Sequence, residues 1–176
     1  GLTDVGIEEI PGQLSDHYDP REKVLRLSSD VYRSRSLAAV GIAAHESGHA
    51  LQDAQAYAPL VVRNAAVPVA GFGSNIGVLL IILGAVFNMN PMLIWIGIAL
   101  FATVVVFQLV NLPVEFNASA RAKAQLVSLG VINREELVYV NKVLSAAALT
   151  YVAATLQAVL TLLYYMMRFT GGDRRE

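Results

Sequence analysis

The sequence predicts a mainly helical integral membrane protein with a small β-hairpin, a helix that carries an HExxH motif and a transmembrane helical hairpin. Hydrophobic residues make up 55% of the chain and charged residues 15%, whereas soluble domains carry about 25% charged residues. No Asp, Glu, Lys or Arg occurs from Asn64 to Val114, and residues 143–167 form another uncharged run. The chain is long enough for one domain, so we treat residues 1–176 as a single membrane-embedded domain.

The first third of the chain predicts the β-hairpin. Val5–Ile10 and Lys23–Ser28 are short, roughly alternating runs, and the HYDPREK segment between them is rich in turn-forming residues. We therefore assign residues 1–33 to a β-hairpin region. The exposed edge of the Lys23–Ser28 strand could pair with an extended peptide substrate. Alternatively, this strand only completes a small sheet.

The next segment predicts an alanine-rich helix over residues 36–57. Ser34 or Ser36 can cap its N-terminus, because a serine hydroxyl can accept a hydrogen bond from a backbone N–H of the first turn. The helix contains AAHESGHALQD at residues 43–53. Residues four apart share one helical face, so this segment can present two imidazoles on the same side.

Three later segments are long enough to span a membrane, which takes about 20 helical residues. They are residues 66–87, 91–112 and 143–167. The NMNP sequence between the first two favours a turn, and Gly73 and Gly77 would let another helix approach closely. The alternative for these two segments is a buried hairpin in a soluble bundle.

A helix is also predicted between the second and third apolar segments. It begins at about residue 114 and ends at Gly130, since glycine often follows the last helical turn. Asn133, with Glu135 and Glu136 after it, then caps the helix that leads into the third span.

The HExxH segment indicates a metal site. On a helix, His45 and His49 can direct two imidazoles at one ion. Glu46 can reach a metal-bound water without being a ligand, which is the position of the general base in metalloproteases. The alternative is two histidines that are hydrogen-bonded to backbone groups on a buried helix.

The chain has no cysteine, so a third protein ligand must be His, Asp or Glu. His17 is one candidate, although its SDHYDP surroundings indicate a solvent-facing turn. Glu115 is the better candidate because it ends the 51-residue uncharged stretch, and an ionisable residue there indicates a functional site. A hairpin that crosses the membrane twice returns Glu115 to the side of His45 and His49. The alternative is an interfacial carboxylate that simply ends the span.

Four motifs together resemble the YugP-like family of bacterial neutral zinc metallopeptidases: HESGHALQ, LPVEFNASARA, GQLSDHYDP and LRLS. The resemblance covers Gly12 to Met167. It implies a membrane-bound, zincin-like enzyme of the gluzincin type, in which two histidines and a downstream glutamate hold zinc. By this resemblance the zinc ligands are His45, His49 and Glu115, and Glu46 is the catalytic base.

Two features depart from the family pattern. Family members usually carry an additional N-terminal transmembrane helix, so this chain is expected to be a trimmed form. Asn117 also stands where the family commonly has aspartate, which puts an acidic supporting role at that position in doubt.

Other polar residues could support the site. Asp53 lies four residues after His49 and could orient its imidazole, and Ser119 lies four residues after Glu115 on the same face. Ordinary solvated or capping roles are the alternative for both. The oxyanion of the reaction would need a hydrogen-bond donor, for which the candidates are His17, Tyr18, Arg121 and Tyr151.

The sequence therefore predicts a zinc-dependent endopeptidase with one Zn²⁺ per chain, acting on membrane or membrane-proximal polypeptides. The net charge of −1 gives no electrostatic case for nucleic acid. The alternative is a non-catalytic membrane scaffold or assembly protein, whose structural zinc would be closed by a fourth protein ligand such as His17. A transporter is less favoured because no charged residue lies within a predicted span.

The distribution of basic residues predicts the orientation in the bacterial cell membrane. All 13 Lys and Arg residues lie outside Asn64–Val114, so the positive-inside rule places the active site in the cytoplasm. The C-terminal segment RFTGGDRRE carries three arginines and favours the opposite orientation, but the larger basic region outweighs this short tail.

Overall fold

A computed structural model describes residues 2–87 and 91–170. Its elements, in chain order, are β1 (Gly6–Ile10), β2 (His17–Asp19), β3 (Val24–Ser28), α1 (Ser29–Tyr32), α2 (Leu37–Ala54), α3 (Ala58–Val86), α4 (Pro91–Ser128) and α5 (Glu136–Thr170). The mainly helical fold with a small β element is confirmed. Most of the predicted NMNP turn, residues 88–90, lies outside the described residues.

The chain divides into two compact units. The first comprises Gly1–Val61 and Pro113–Thr150, and it contains the whole β-sheet and the HExxH helix. The second comprises Val62–Leu112 and Tyr151–Glu176, and it contains most of the uncharged sequence.

The β element is a three-stranded sheet in the order β1-β3-β2. The predicted hairpin between Val5–Ile10 and Lys23–Ser28 is wrong, because β1 and β3 pair in parallel from Gly6↔Val24 to Ile10↔Ser28. The antiparallel partner of β3 is β2, which lies in the segment that the sequence indicated as a turn. Parallel neighbours need a connection that returns the chain to the same end, and here that connection contains β2.

β3 is the central strand of this sheet. Its backbone pairs with β1 on one side and β2 on the other, and Val24, Leu25 and Leu27 are buried. Addition of a peptide strand requires an unpaired edge. The prediction that this strand offers its edge to a substrate is therefore wrong.

The HExxH helix α2 lies between two apolar clusters of the first unit. Ser36 is its N-cap and accepts a hydrogen bond from the Ala39 N–H at 3.2 Å. Ala39 packs with Leu27 and Val31 near the sheet. Other α2 residues pack against a cluster formed by Ala122, Leu126, Ile132, Val140 and Leu144. The helix ends at Ala54, three residues before the predicted end.

Helix α4 contains both the second predicted span and the helix that was predicted after it, and it continues through Pro113. The predicted stop is confirmed: Gly130 follows the last turn with a φ of 65°, and the Val131 N–H donates to the Leu126 carbonyl at 3.0 Å. The predicted cap of α5 is also confirmed. The Asn133 N–H donates to the Glu136 carboxylate at 2.9 Å, and the Glu136 N–H donates to Asn133 Oδ1 at 2.8 Å.

The helices of the second unit pack closely at glycines. A Cβ added to Gly73 would lie 2.2 Å from Thr103 Oγ1, and one added to Gly77 would lie 2.9 Å from the Gly97 carbonyl oxygen. The close approach that the spacing of Gly73 and Gly77 predicted is therefore present.

Three helices, α3, α4 and α5, are long and apolar enough to cross a membrane by length and composition. Only 28%, 28% and 22% of their most apolar windows are buried within the protein. Such exposed apolar surface is unusual in a soluble bundle. This favours the transmembrane interpretation over a buried soluble hairpin.

Candidate metal centre

Helix α2 and the part of α4 that belongs to the first unit bring together two histidines and a glutamate. α2 carries His45 and His49, and α4 carries Glu115. In the part of the chain that the structure describes, these residues form the group of His, Asp or Glu side chains that could hold a metal ion, and their ligand atoms lie within 4.8 Å of one another. Their side chains are largely buried, with exposed fractions of 13%, 12% and 4% respectively.

The distances between these atoms fit a zinc ion. Glu115 Oε2 lies 3.2 Å from His45 Nε2 and 3.7 Å from His49 Nε2. Tetrahedral zinc with bonds of about 2.0–2.1 Å would hold its ligand atoms about 3.3–3.4 Å apart. Imidazole nitrogen and carboxylate oxygen are also donors that zinc accepts. The two distances to Glu115 and the donor chemistry therefore fit zinc, and all three ligand atoms lie within 4.8 Å of one another.

The other ring nitrogen of each histidine has a protein partner. His45 Nδ1 lies 3.0 Å from Ser119 Oγ, and His49 Nδ1 lies 2.9 Å from Gln52 Oε1. Such partners hold a metal-binding imidazole in a fixed orientation. Ser119 thus lies where the sequence predicted a supporting residue. Gln52 occupies the position beside His49 that was predicted for Asp53.

Glu46 lies next to this group in a buried environment. Glu46 is only 8% exposed to solvent. Burial raises the pKa of the Glu46 carboxyl to about 7, and the carboxylates of Glu115 and Asp16 raise it as well. The charge of His45 and the backbone N–H of Tyr18, which donates to Glu46, act in the opposite direction. A carboxyl group with this pKa can both accept and release a proton near neutral pH.

Comparisons with known proteins agree with this chemistry. Residues 1–170 match the family described as "Putative neutral zinc metallopeptidase". The chain belongs to this family. It is also 51% identical to the "Putative membrane protease YugP" of Bacillus subtilis (strain 168), over 172 residues that make up 98% of this chain and 76% of that relative. No solved structure matches the chain. The family resemblance seen in the sequence motifs is thus confirmed.

Two predicted supporting residues contact each other rather than the histidines. The Tyr18 hydroxyl donates to Asp53 Oδ2 at 3.0 Å. Burial and this hydrogen bond to a carboxylate raise the pKa of Tyr18 to about 12. The side chain of Asp53 therefore holds β2 against α2 through Tyr18. This contact joins the sheet to the HExxH helix.

His17, the other candidate for a third ligand, is not one of the three residues of this group. Its residue is exposed, and its Nδ1 lies 2.7 Å from the carbonyl oxygen of Ser15. The sequence interpretation of His17 as a solvent-facing residue agrees with this placement. Tyr151, a candidate oxyanion donor, belongs to the second unit.

Asn117 and Arg121 form hydrogen bonds near the C-terminal end of α2. Arg121 Nε donates to Asn117 Oδ1 at 2.6 Å, and another guanidinium nitrogen donates to Gln55 Oε1 at 2.6 Å. The guanidinium also lies over the Tyr57 ring, 5.7 Å from its centroid. These contacts link α4 to the end of α2. Asn117 therefore acts here as a hydrogen-bond acceptor, and its uncharged side chain serves that role.

Gln52 is the residue that sequence reasoning missed. It is fully buried and lies three residues after His49 on α2. Its amide nitrogen donates to the Val114 carbonyl at 2.8 Å and to Asn117 Oδ1 at 3.0 Å. The signal was available, because residues three apart on a helix are also neighbours. The charged Asp53 at a spacing of four had suggested the more familiar pairing with a carboxylate.

Proposed function

We propose that this protein is a membrane-bound, zinc-dependent endopeptidase of the gluzincin type. The observation that carries the proposal is the convergence of two imidazole nitrogens and one carboxylate oxygen beside the buried carboxyl of Glu46. In this proposal His45, His49 and Glu115 hold one zinc ion. Three protein ligands leave a fourth position for water or substrate, as in catalytic zinc sites.

In the proposed reaction the ion acts as a Lewis acid and Glu46 transfers the proton. A zinc ion held by His45, His49 and Glu115 would supply Lewis acidity towards a peptide carbonyl and a water molecule. Glu46 accepts the proton of the attacking water at its carboxylate and then delivers it to the amine nitrogen of the departing peptide. Burial of Glu46 keeps competing solvent away from the proton.

We propose membrane or membrane-proximal polypeptides as substrates. Two facts support this class: the chain has three helices that are apolar and long enough to span a membrane, and its Bacillus subtilis relative is named a membrane protease. No clustered positive charge suggests a nucleic-acid partner, since the net charge is −1.

A structural zinc site in a scaffold protein is less well supported. Structural sites are usually closed by four protein ligands. Within residues 2–87 and 91–170, the group of possible ligands has three members. His17, which could have been the fourth, is exposed and bonded to Ser15. The open fourth position favours catalysis.

We expect the purified protein to bind one zinc ion per chain and to lose it when His45, His49 or Glu115 is replaced by alanine. Each of these side chains supplies one of the three converging ligand atoms. Metal analysis after gel filtration in detergent measures the occupancy. His17→Ala is the matched control and should retain zinc. Loss of zinc from His17→Ala together with full occupancy in Glu115→Ala would show that the third ligand is wrongly assigned.

We further propose that the active site faces the cytoplasm. The first unit contains most of the basic residues, whereas residues 64–114 contain none, and basic segments remain in the cytoplasm. Because the chain lacks cysteine, single cysteines report their own accessibility. Asn90→Cys should react with an impermeant thiol reagent added to intact cells. Ser128→Cys, at the exposed end of α4, should react only after lysis. The reverse labelling pattern would overturn the orientation.

A further inference from the structure

The buried Gln52 amide contacts a backbone group and two side chains that surround it. Its nitrogen donates to the Val114 carbonyl and to Asn117 Oδ1, and its oxygen lies 2.9 Å from His49 Nδ1. The residue has no exposed surface, so water cannot replace these partners. The amide nitrogen and the amide oxygen of Gln52 therefore depend on these protein partners for their hydrogen bonds.

The orientation of the Gln52 amide is determined by hydrogen-bond partners that can act only as acceptors. The Val114 carbonyl can only accept a hydrogen bond. Arg121 can only donate, so the Asn117 atom that it contacts at 2.6 Å must be the oxygen. Reversal of the Gln52 amide would place its oxygen against these two acceptor oxygens. The nitrogen must therefore face Val114 and Asn117, and the oxygen must face His49.

The Gln52 oxygen determines which nitrogen of His49 carries the proton. Because that oxygen only accepts, His49 Nδ1 must be protonated to form the 2.9 Å hydrogen bond. In the neutral imidazole the lone pair then lies on Nε2, the nitrogen that faces Glu115. This is the form in which Nε2 can bind a metal ion.

We propose that Gln52, held by the Val114 carbonyl and by the Asn117–Arg121 pair, is a positioning residue that fixes His49 in the Nδ1-protonated tautomer and so presents Nε2 to the zinc ion. The zinc part of this inference rests on the proposed function. The tautomer part rests on the hydrogen bonds of Gln52, and only in the absence of zinc does the Glu115 carboxylate oppose it, by accepting from His49 Nε2. The two parts can therefore fail separately.

His45 provides a contrast within the same site. Its Nδ1 lies 3.0 Å from Ser119 Oγ, and a hydroxyl can donate as well as accept. Ser119 can therefore pair with either tautomer of His45. The fixed tautomer at His49 thus comes from the amide and its acceptors, whereas Ser119 orients His45 without selecting its tautomer.

Asn117 helps to hold Gln52 in this orientation. The side-chain oxygen of Asn117 accepts hydrogen bonds from both Gln52 and Arg121. Aspartate offers an acceptor oxygen at the same place, whereas leucine has a similar size and offers none. Asn117→Asp should therefore preserve the orientation of Gln52, and Asn117→Leu should weaken it.

The test uses the full chain in detergent without metal and with Glu115 replaced by Leu, because a Glu115 carboxylate without zinc would hold a proton on His49 Nε2. At about pH 8, above the usual imidazole pKa of about 6.5, nitrogen-15 NMR of the histidine rings distinguishes a protonated Nδ1 from a protonated Nε2. His49 should be Nδ1-protonated in this Glu115→Leu chain when Gln52 is intact. Gln52→Met keeps the shape but removes the acceptor, so His49 should shift towards the Nε2-protonated form.

The same substitutions are then made in the chain that retains Glu115 and tested for zinc affinity by competition with a chelator. Gln52→Met should weaken zinc binding about 10–100-fold, the usual effect of losing a residue that orients a metal ligand. Gln125→Met, at an exposed position on α4, is the matched control and should leave both the tautomer and zinc affinity as in the parent. Asn117→Asp should retain both, and Asn117→Leu should alter both.

Each outcome bears on a definite part of the inference. An unchanged His49 tautomer in both Gln52→Met and Asn117→Leu would overturn it. A shift of the tautomer with parent-like zinc affinity would overturn the role towards zinc. If Gln52→Met does not fold, the Asn117 pair decides. An Nδ1-protonated His49 in the Glu115→Leu chain, together with a parent protein that binds no zinc, would support the tautomer assignment and overturn the proposed metal site.

Discussion

Replacement of Glu46 by Gln is expected to lower the rate of peptide hydrolysis about 10²–10⁴-fold, the usual contribution of a general base, while zinc stays bound. Gln has nearly the same volume and can keep the hydrogen bond from the Tyr18 N–H, but its amide cannot accept a proton from water. Zinc should be retained because the three converging ligand atoms belong to His45, His49 and Glu115. A large loss of rate with full zinc occupancy would thus identify a chemical role.

The measurement compares cleavage of an unfolded or membrane polypeptide by the purified variant and the parent, with zinc content determined for both. Glu135→Gln is the matched control, since it makes the same change at an exposed position in the turn before α5 and should cleave at the parent rate. Equal cleavage by Glu46→Gln and the parent would contradict the role of Glu46 as base. Absence of cleavage by both, across varied substrates, would favour the scaffold function.

The parts of the fold that the sequence predicted correctly depend on local chemistry. Ser36 caps α2, Gly130 ends α4, and Asn133 and Glu136 cap α5, and each of these contacts lies within a few residues. The three apolar helices follow in the same way, because span length and composition are local properties. Short-range sequence patterns were therefore sufficient to predict the helices and several of their ends.

The strand pairing could not be predicted in this way. The order β1-β3-β2 depends on which strands meet after the chain has folded, and strand preference itself depends strongly on the neighbouring strands. Tyr18 illustrates the difficulty, since DHYDP has turn-forming residues on both sides. Its strand conformation is supported by pairing with Leu25 and by the hydrogen bond to Asp53. Neither partner is adjacent in sequence.

The site shows the same division. The spacing of His45 and His49 on one helical face follows from the sequence, and the return of a hairpin suggested Glu115 as their partner. Gln52 was missed because its role depends on the Val114 carbonyl, 62 residues away. A neutral amide carries no charge that would suggest a metal site. Its importance emerges only when the acceptors around it are known.

Replacement of Gly48 by Ala should separate α2 from α4 and abolish zinc binding. A Cβ on Gly48 would lie 2.4 Å from the Ala118 carbonyl oxygen and 3.1 Å from Ala118 Cα. These are backbone atoms of a fully buried residue, so rotation of a side chain cannot relieve the overlap. Overpacking costs about 1–3 kcal/mol even where side chains can adjust. This exceeds the gain of about 1 kcal/mol from the higher helix propensity of alanine.

Zinc binding should fail because Gly48 lies between the two histidines and Ala118 lies in the turn that carries Glu115. Displacement of either helix therefore moves His45 and His49 away from Glu115, which now lies 3.2 and 3.7 Å from them. Zinc affinity and thermal unfolding in detergent measure the effect. Gly71→Ala is the control: nothing lies within 4 Å of its added Cβ, so zinc affinity should match the parent.

Gly41→Ala on the same helix separates this effect from a general sensitivity of α2 to larger residues. Its added Cβ would meet Val140 Cγ1 at 3.1 Å, a side-chain atom that can shift by a few tenths of an ångström. Stability and zinc affinity should therefore fall in the order Gly71→Ala, Gly41→Ala, Gly48→Ala. Parent-like zinc affinity in Gly48→Ala would contradict the close contact of α2 and α4, and with it the convergence of the three proposed ligands.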